Sequence, residues 1–266
     1  MPPRTLRFVS YLAPNMLPVY GFIARHVGAR LGCPTELRAG GDYGELAHPP
    51  EVAFLCGLAY VEHARRGVAA VEPVAAPVLR GARYGGRPVY FSDVITRRDS
   101  PFRSFADLRG QSWSFNEPYS QSGYGITRHH LLRLGQTGGY FGRVVEAGFH
   151  ERSIRLVRAG AVAASAVDSQ VLAVALRDSP ELAADLRVID SLGPSPIQPV
   201  VMARRLPAAL KEEVRAVLVN MADDPEARRR LAHGFVERFA PADDATYDPI
   251  RAMLAEAEAA GFLTLR

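Results

Sequence analysis

Apolar residues in this chain fall into short continuous runs, and between the runs they recur at every third or fourth position. A short run bounded by turn residues marks a strand, and the three-to-four spacing marks a helix with one buried face. Read this way, residues 6–10 form a first strand and 17–31 a helix after the Pro14-Asn15 turn. Residues 35–37 lead into the loop Gly40-Gly41-Asp42-Tyr43-Gly44, 51–56 form a third strand, and 60–66 a second helix. Residues 73–80 and 88–96 read as longer strands separated by a turn at 81–86. A second series starts near Ser104: a short helix at 105–110 with a glycine stop, a strand at 112–115, a turn, and a helix at 126–134. Strand 143–147, a loop at His150, helix 154–159, strand 163–167, helix 170–177 and strand 186–189 follow. The prolines of 194–199 interrupt the chain before strand 200–203, and the last third reads as helices at 207–221, 225–239 and 247–260.

Such alternation predicts an α/β chain. It divides into two lobes, residues 1–92 with 204–266 as a discontinuous lobe and 93–203 as an inserted one. The chain is expected to cross between them near 92–96 and near 199–203. Two neighbouring crossings make a hinge, and a cleft between lobes is where a ligand is expected. There are no internal repeats and no low-complexity tracts.

The most informative stretch is Phe115-Asn116-Glu117-Pro118-Tyr119-Ser120-Gln121-Ser122-Gly123-Tyr124-Gly125, a turn rich in hydroxyls and glycine that opens into a helix. A helix start presents unpaired backbone N–H groups and the positive end of the macrodipole. With hydroxyls of Ser120 and Ser122 beside it, such a start can hold a tetrahedral oxyanion. The simpler reading is that one of the serines caps the helix. The residues alone leave both open.

Composition narrows the class of function. The chain has 266 residues, is about half apolar, and carries a net charge of +4. That charge is almost wholly arginine, with Lys211 the single lysine, and the arginines alternate with acids rather than forming a stripe. A nucleic-acid surface requires such clustering with stacking aromatics, so no nucleic-acid partner is expected. Cys33 and Cys56 are too few for a disulfide scaffold and lack metal-ligand spacing, and Cys56 lies in an apolar run. No metal and no cofactor are expected. There is no Cys/His pair, no His-x-x-x-His, no phosphate-cradling glycine loop, and no placeable pair of carboxylates. Ser120 with His150 as nucleophile and base lacks an oriented third partner. No catalytic residue is therefore assigned. Met1-Pro2-Pro3-Arg4 runs directly into the first strand without a long apolar segment. The expected location is cytoplasmic if Met1 is the native start, and otherwise depends on a removed leader.

Several segments carry a resemblance to a known family. They are Asp42-Tyr43; Tyr90-Phe91-Ser92 with Arg98-Asp99-Ser100-Pro101; Phe105-Ala106-Asp107-Leu108-Arg109-Gly110; Ser120-Gln121-Ser122-Gly123-Tyr124; Gly148-Phe149-His150-Glu151; and Ala166-Val167-Asp168-Ser169. The prolines of 194–199, Leu206-Pro207 and Tyr247-Asp248-Pro249-Ile250-Arg251 complete the series. In this order and spacing the chain resembles the periplasmic substrate-binding proteins of phosphonate, phosphite and phosphate ABC transporters. The resemblance implies a two-lobed, type II periplasmic-binding-protein fold, each lobe a mixed sheet flanked by helices. It also implies a small oxyanion ligand, an ABC permease as membrane partner, a periplasmic location and a monomer or weak dimer. It assigns Ser120, Gln121 and Ser122 to the phosphoryl oxygens, with His150 beside them and Tyr43 and Tyr90 from the other lobe. Asp168 orients the serine turn, binds an amine, or caps the following helix. His129 and His130 have no such support and are expected to be structural.

Two departures bear on the ligand. Many members have threonine where this chain has Gln121, and an amide both donates and accepts. Members that bind aminoethylphosphonate place acids where this chain has Gln170 and Gln198. A buried ammonium without carboxylates carries a large desolvation penalty. The resemblance therefore implies an oxyanion with a neutral tail or none. An enzyme on the same two-lobed fold acting on a small organic acid, or a ligand sensor, is the alternative.

Overall fold

The alternation of patterns carries through into regular elements. The computed structural model of the chain describes residues 5–68 and 70–266; Met1-Pro2-Pro3-Arg4, on which the reading of the start turned, lies outside them. In chain order the elements are β1 (Leu6–Ser10), α1 (Leu17–Leu31), β2 (Thr35–Ala39), β3 (Val52–Phe54), α2 (Gly57–Arg65), β4 (Val71–Leu79) and β5 (Val89–Arg97). Next come β6 (Ser112–Phe115), α3 (Ile126–Arg133), β7 (Arg143–Glu146), α4 (His150–Arg158), β8 (Ala164–Asp168), α5 (Ser169–Asp178), α6 (Leu182–Asp185) and β9 (Leu186–Pro196). The last are β10 (Val200–Ala203), α7 (Ala208–Val219), α8 (Pro225–Ala232), β11 (Val236–Pro241) and α9 (Asp248–Ala259).

The chain forms two units. The first holds the described residues of Met1–Val89 with Pro196–Asp248, and the second Tyr90–Ser195 with Pro249–Arg266. The first is built on a six-stranded sheet in the order β11-β4-β10-β3-β1-β2. Its β1 runs parallel to β2 and β3, while β10 and β11 run antiparallel to their neighbours. α1 turns Val19, Ile23 and Val27 inward at the spacing the sequence shows, and ends at Gly32, whose φ of 64° is open to glycine. β4 carries Pro73 although it lies inside the sheet. Proline has no N–H for the ladder, and the register against β10 shifts at that point, from Val200↔Ala75 to Val201↔Pro73.

The second unit has a five-stranded sheet, β7-β6-β8-β5-β9. β6 is parallel to β7 and β8, and β5 antiparallel to β8. Its core centres on Trp113, stacked on Phe141 at 4.6 Å between ring centres, with Phe105 edge-on at 5.8 Å. Phe262 and Leu265 belong to the same cluster.

The structure differs from the sequence reading in the division into units and in one element. Residues 249–266 lie in the second unit rather than the first, because Phe262 and Leu265 bury their side chains there. Arg128 donates to the Phe262 and Leu263 carbonyls at 3.2 and 3.1 Å, and Gly139 N to that of Arg266 at 2.7 Å. Residues 90–92 also fall in the second unit and residues 196–203 in the first, so the chain passes from one unit to the other at 89/90, 195/196 and 248/249 rather than at two crossings. Residues 236–239, predicted to continue a helix, belong instead to β11. Leu231, Phe235 and Phe239 recur at helical spacing, yet the chain turns at Phe235 (φ 55°) and pairs with the open side of β4.

Two smaller shifts matter for the site. His150, expected in a loop, is the first residue of α4, after Phe149 in extended conformation. β9 runs through Pro194 to Pro196, which an edge strand tolerates. Among the described residues, no helix is long and apolar enough to cross a membrane.

Candidate functional site

Where β6 ends, the chain turns and Ser120 takes an extended conformation (φ −80°, ψ 122°). Its Oγ accepts from Gly123 N at 3.1 Å, and its carbonyl accepts from Tyr124 N at 3.2 Å and Gly125 N at 2.9 Å. The bond to Gly125 spans five residues, so Gln121–Gly125 forms one π turn before α3 begins. Such turns are rare and concentrate at functional sites. Capping and presentation are thus performed by one residue: Ser120 caps, and its hydroxyl lies 3.2 Å from that of Ser122. Ser122 Oγ in turn lies 2.8 Å from His150 Nε2, with the imidazole tautomer deciding which donates. All three side chains are buried.

α4 brings His150 to this point. Burial pushes its pKa down to about 4, so the ring is neutral at neutral pH. Among the described residues its Nδ1 has no hydrogen-bond partner, so no third group orients the ring as a catalytic triad requires. Two buried hydroxyls and a neutral imidazole thus lie together at the start of a helical segment.

Gly123 closes the turn onto β6. A Cβ there would run into Asn116 Oδ1 and lie 3.3 Å from both Cγ and the backbone N of that residue. Gly123→Ala is expected to displace the turn and to destabilise the protein by about 1–3 kcal/mol, the range of a strained buried substitution. Urea unfolding monitored at Trp113 checks this, and an unchanged midpoint would show that Asn116 swings aside freely.

The structure treats the remaining predicted residues differently. Gln121 is buried, but its Nε2 donates to Ser195 Oγ at 3.2 Å and to Met253 Sδ at 3.2 Å. Asp168, at the end of β8, caps α5: its Oδ1 accepts from Gln170 N at 2.7 Å and Val171 N at 3.2 Å. Gln170 is buried in the first turn of that helix. Tyr90 is buried on β5, within the same unit as the serine turn. His129 pairs with Glu256 at 3.3 Å, and His130 packs on Phe105 at 4.5 Å, both in structural settings.

Tyr43 and Gln198 belong to the first unit. Tyr43 starts a helical turn capped by Asp42 and stacks on Tyr11 at 5.4 Å, with His63 on it at 5.5 Å. Tyr11 donates to Glu45 Oε2 at 3.1 Å, and its ring lies against Gly40 so closely that a Cβ there would overlap it. Gln198 is half-buried between Ile197, whose carbonyl accepts from Tyr247, and Pro199, whose carbonyl accepts from Leu55 N. Among the described residues, no group of three His, Cys, Asp or Glu is arranged to hold a metal ion.

Similarity to known proteins bears on the family and the fold. Residues 10–247 match the family described as the periplasmic substrate-binding protein of phosphonate ABC transporters. The phosphonates-binding periplasmic protein of Escherichia coli K12 is 25% identical over 171 residues, 62% of this chain and 50% of that protein. The chain thus spans about half the length of the curated relative it matches. Among solved structures, a binding component of a Pseudomonas aeruginosa ABC phosphonate transporter has a TM-score of 0.82 at 19% identity, covering 98% of this chain and 89% of that one. PhnD1 from Prochlorococcus marinus, in complex with methylphosphonate, has a TM-score of 0.82 at 17% identity, covering 96% and 98%. At these identities the structures establish the fold, that of the periplasmic binding proteins.

Proposed function

The chain belongs to the family of periplasmic substrate-binding proteins of phosphonate ABC transporters, and from that membership we propose that it captures a small oxyanion without catalysing a reaction on it. The ligand class is phosphonate, phosphite or phosphate, the destination an ABC permease, and the location periplasmic. The observation that carries this reading is the buried line of Ser120 Oγ, Ser122 Oγ and His150 Nε2 at the head of the π turn. Hydroxyl and imidazole groups gathered in one buried line can turn their donors to a shared acceptor, and hydrogen bonds to an oxyanion are charge-assisted and strong. Tyr43, Tyr90, Asp168, Gln170 and Gln198 enter as ligand residues through the family resemblance; Asp168 also has its capping role. Since Gln170 and Gln198 stand where an ammonium would meet carboxylates, the proposed ligand has a neutral tail or none.

A thermal-shift panel of phosphate, phosphite, methylphosphonate, aminoethylphosphonate, sulfate and small carboxylates tests it. A ligand at a hundred times its Kd adds about 2.7 kcal/mol to stability by mass action. The largest shift is expected from a phosphorus oxyanion without an ammonium. A shift with aminoethylphosphonate alone would refute the argument from the glutamines, and a shift with only a bulky carboxylate would refute the ligand class.

A further inference from the structure

The amide of Gln121 sits inside the serine turn yet reaches out of it. Its neighbours on either side, Ser120 and Ser122, turn their hydroxyls to each other, and Ser122 meets His150. Gln121 instead donates from Nε2 to Ser195 Oγ, 74 residues away, and to Met253 Sδ, 132 residues away, and the side chain is 1% exposed. Ser195 is the last residue of the second unit before the chain leaves it, and Met253 lies on α9, with which the chain returns. The Ser120 cap secures the turn through Gly123 N, whereas Gln121 ties its first residue to two distant elements. A π turn is an uncommon backbone geometry that its surroundings must hold, and a hydroxyl-bearing side chain at 121 is too short to do so in the same way.

We propose that Gln121 is a positioning residue: it makes no contact with the anion, but pins the π turn to β9 and α9 and so sets the spacing of the Ser120 and Ser122 hydroxyls. The proposal rests on the oxyanion-binding reading above. Two measurements test it. The first is hydrogen exchange on the ligand-free protein, in which Gln121→Ala and Ser195→Ala are each expected to speed exchange of the Gly123, Tyr124 and Gly125 amides, while Ser195→Thr, which keeps the hydroxyl, does not. The second is calorimetric titration with methylphosphonate, phosphite and phosphate. Gln121→Ala and Ser195→Ala are each expected to weaken the best of the three about tenfold, with the double variant no weaker than either single one, as coupled residues require.

Unchanged exchange in Gln121→Ala overturns the proposal, as does faster exchange with unaltered affinity. Weakening by Gln121→Ala but not by Ser195→Ala makes Gln121 an anion ligand and also overturns it. If the wild-type protein binds none of the three anions, the functional reading fails instead, and the exchange result alone decides whether Gln121 pins the turn.

Discussion

Ser122→Ala and His150→Ala are each expected to remove most of the rise in melting temperature that the best oxyanion gives the wild-type protein. Ser122 is the middle member of the line, 3.2 Å from Ser120 Oγ and 2.8 Å from His150 Nε2. On the proposed function, its loss removes one donor to the anion and one partner of the imidazole beside it. A hydrogen bond to a charged group contributes about 1.5–3 kcal/mol, so losing one or two lowers affinity by about a hundredfold. At a ligand concentration that was a hundred times the wild-type Kd, the added stability then falls from about 2.7 to about 0.4 kcal/mol. His129→Ala, which removes a ring paired with Glu256 on the flank of α3, serves as the control and should retain the full shift. Wild-type-like shifts in both site variants would remove the serine turn from consideration as the anion site.

The second large effect is on stability in mild acid. Burial holds His150 at about 4 in the folded chain, against an ordinary value of 6.5. Between these values the unfolded chain binds a proton at this position and the folded chain does not, so stability rises with pH across the window. The contribution is complete above pH 6.5 and is lost as pH falls toward 4. The loss amounts to about 3 kcal/mol, because each tenfold difference in proton affinity between the two states is worth about 1.4 kcal/mol. Urea unfolding of the ligand-free protein at pH 7.0 and 4.5, compared with His150→Gln, isolates the effect from the carboxylates. The variant is expected to lose less stability between the two pH values than the wild-type chain. Equal losses would mean that His150 is reached by water and titrates normally. A bound anion favours the imidazolium, so saturating ligand should shrink the acid-side loss.

Much of this was legible in the residues. The α/β class, most strands, the hydroxyl turn and the family were readable because apolar periodicity and a string of spaced motifs are local properties of the chain. The helix-stop glycine and the strand patterns of β1, β3 and β6 appear in the structure close to where they were expected. The pattern failed where a local signal had two readings. Leu231, Phe235 and Phe239 repeat like a helix, but an unpaired side of β4 claimed residues 236–241 as a strand. His150 looked like a loop residue because α4 lacks a side-chain cap at its start.

By itself the sequence determined which residues carry polar chemistry and in what order they lie: the hydroxyls of Ser120 and Ser122, the imidazole of His150, and the amides of Gln170 and Gln198. It also determined the family, through motifs that remain recognisable at low identity. The tertiary structure alone decided which of those residues meet. Ser122 and His150, 28 positions apart, come to 2.8 Å because the π turn and α4 both pack against β8. Gln121, grouped with its serine neighbours as a candidate donor, reaches out of the turn because Ser195 and Met253 offer its amide partners inside the unit. Residues 249–266 join the second unit because Phe262 and Leu265 are buried around Trp113. Each of these outcomes depends on contacts between distant segments. No pattern along the chain encodes such contacts, since burial and hydrogen bonding are satisfied in three dimensions.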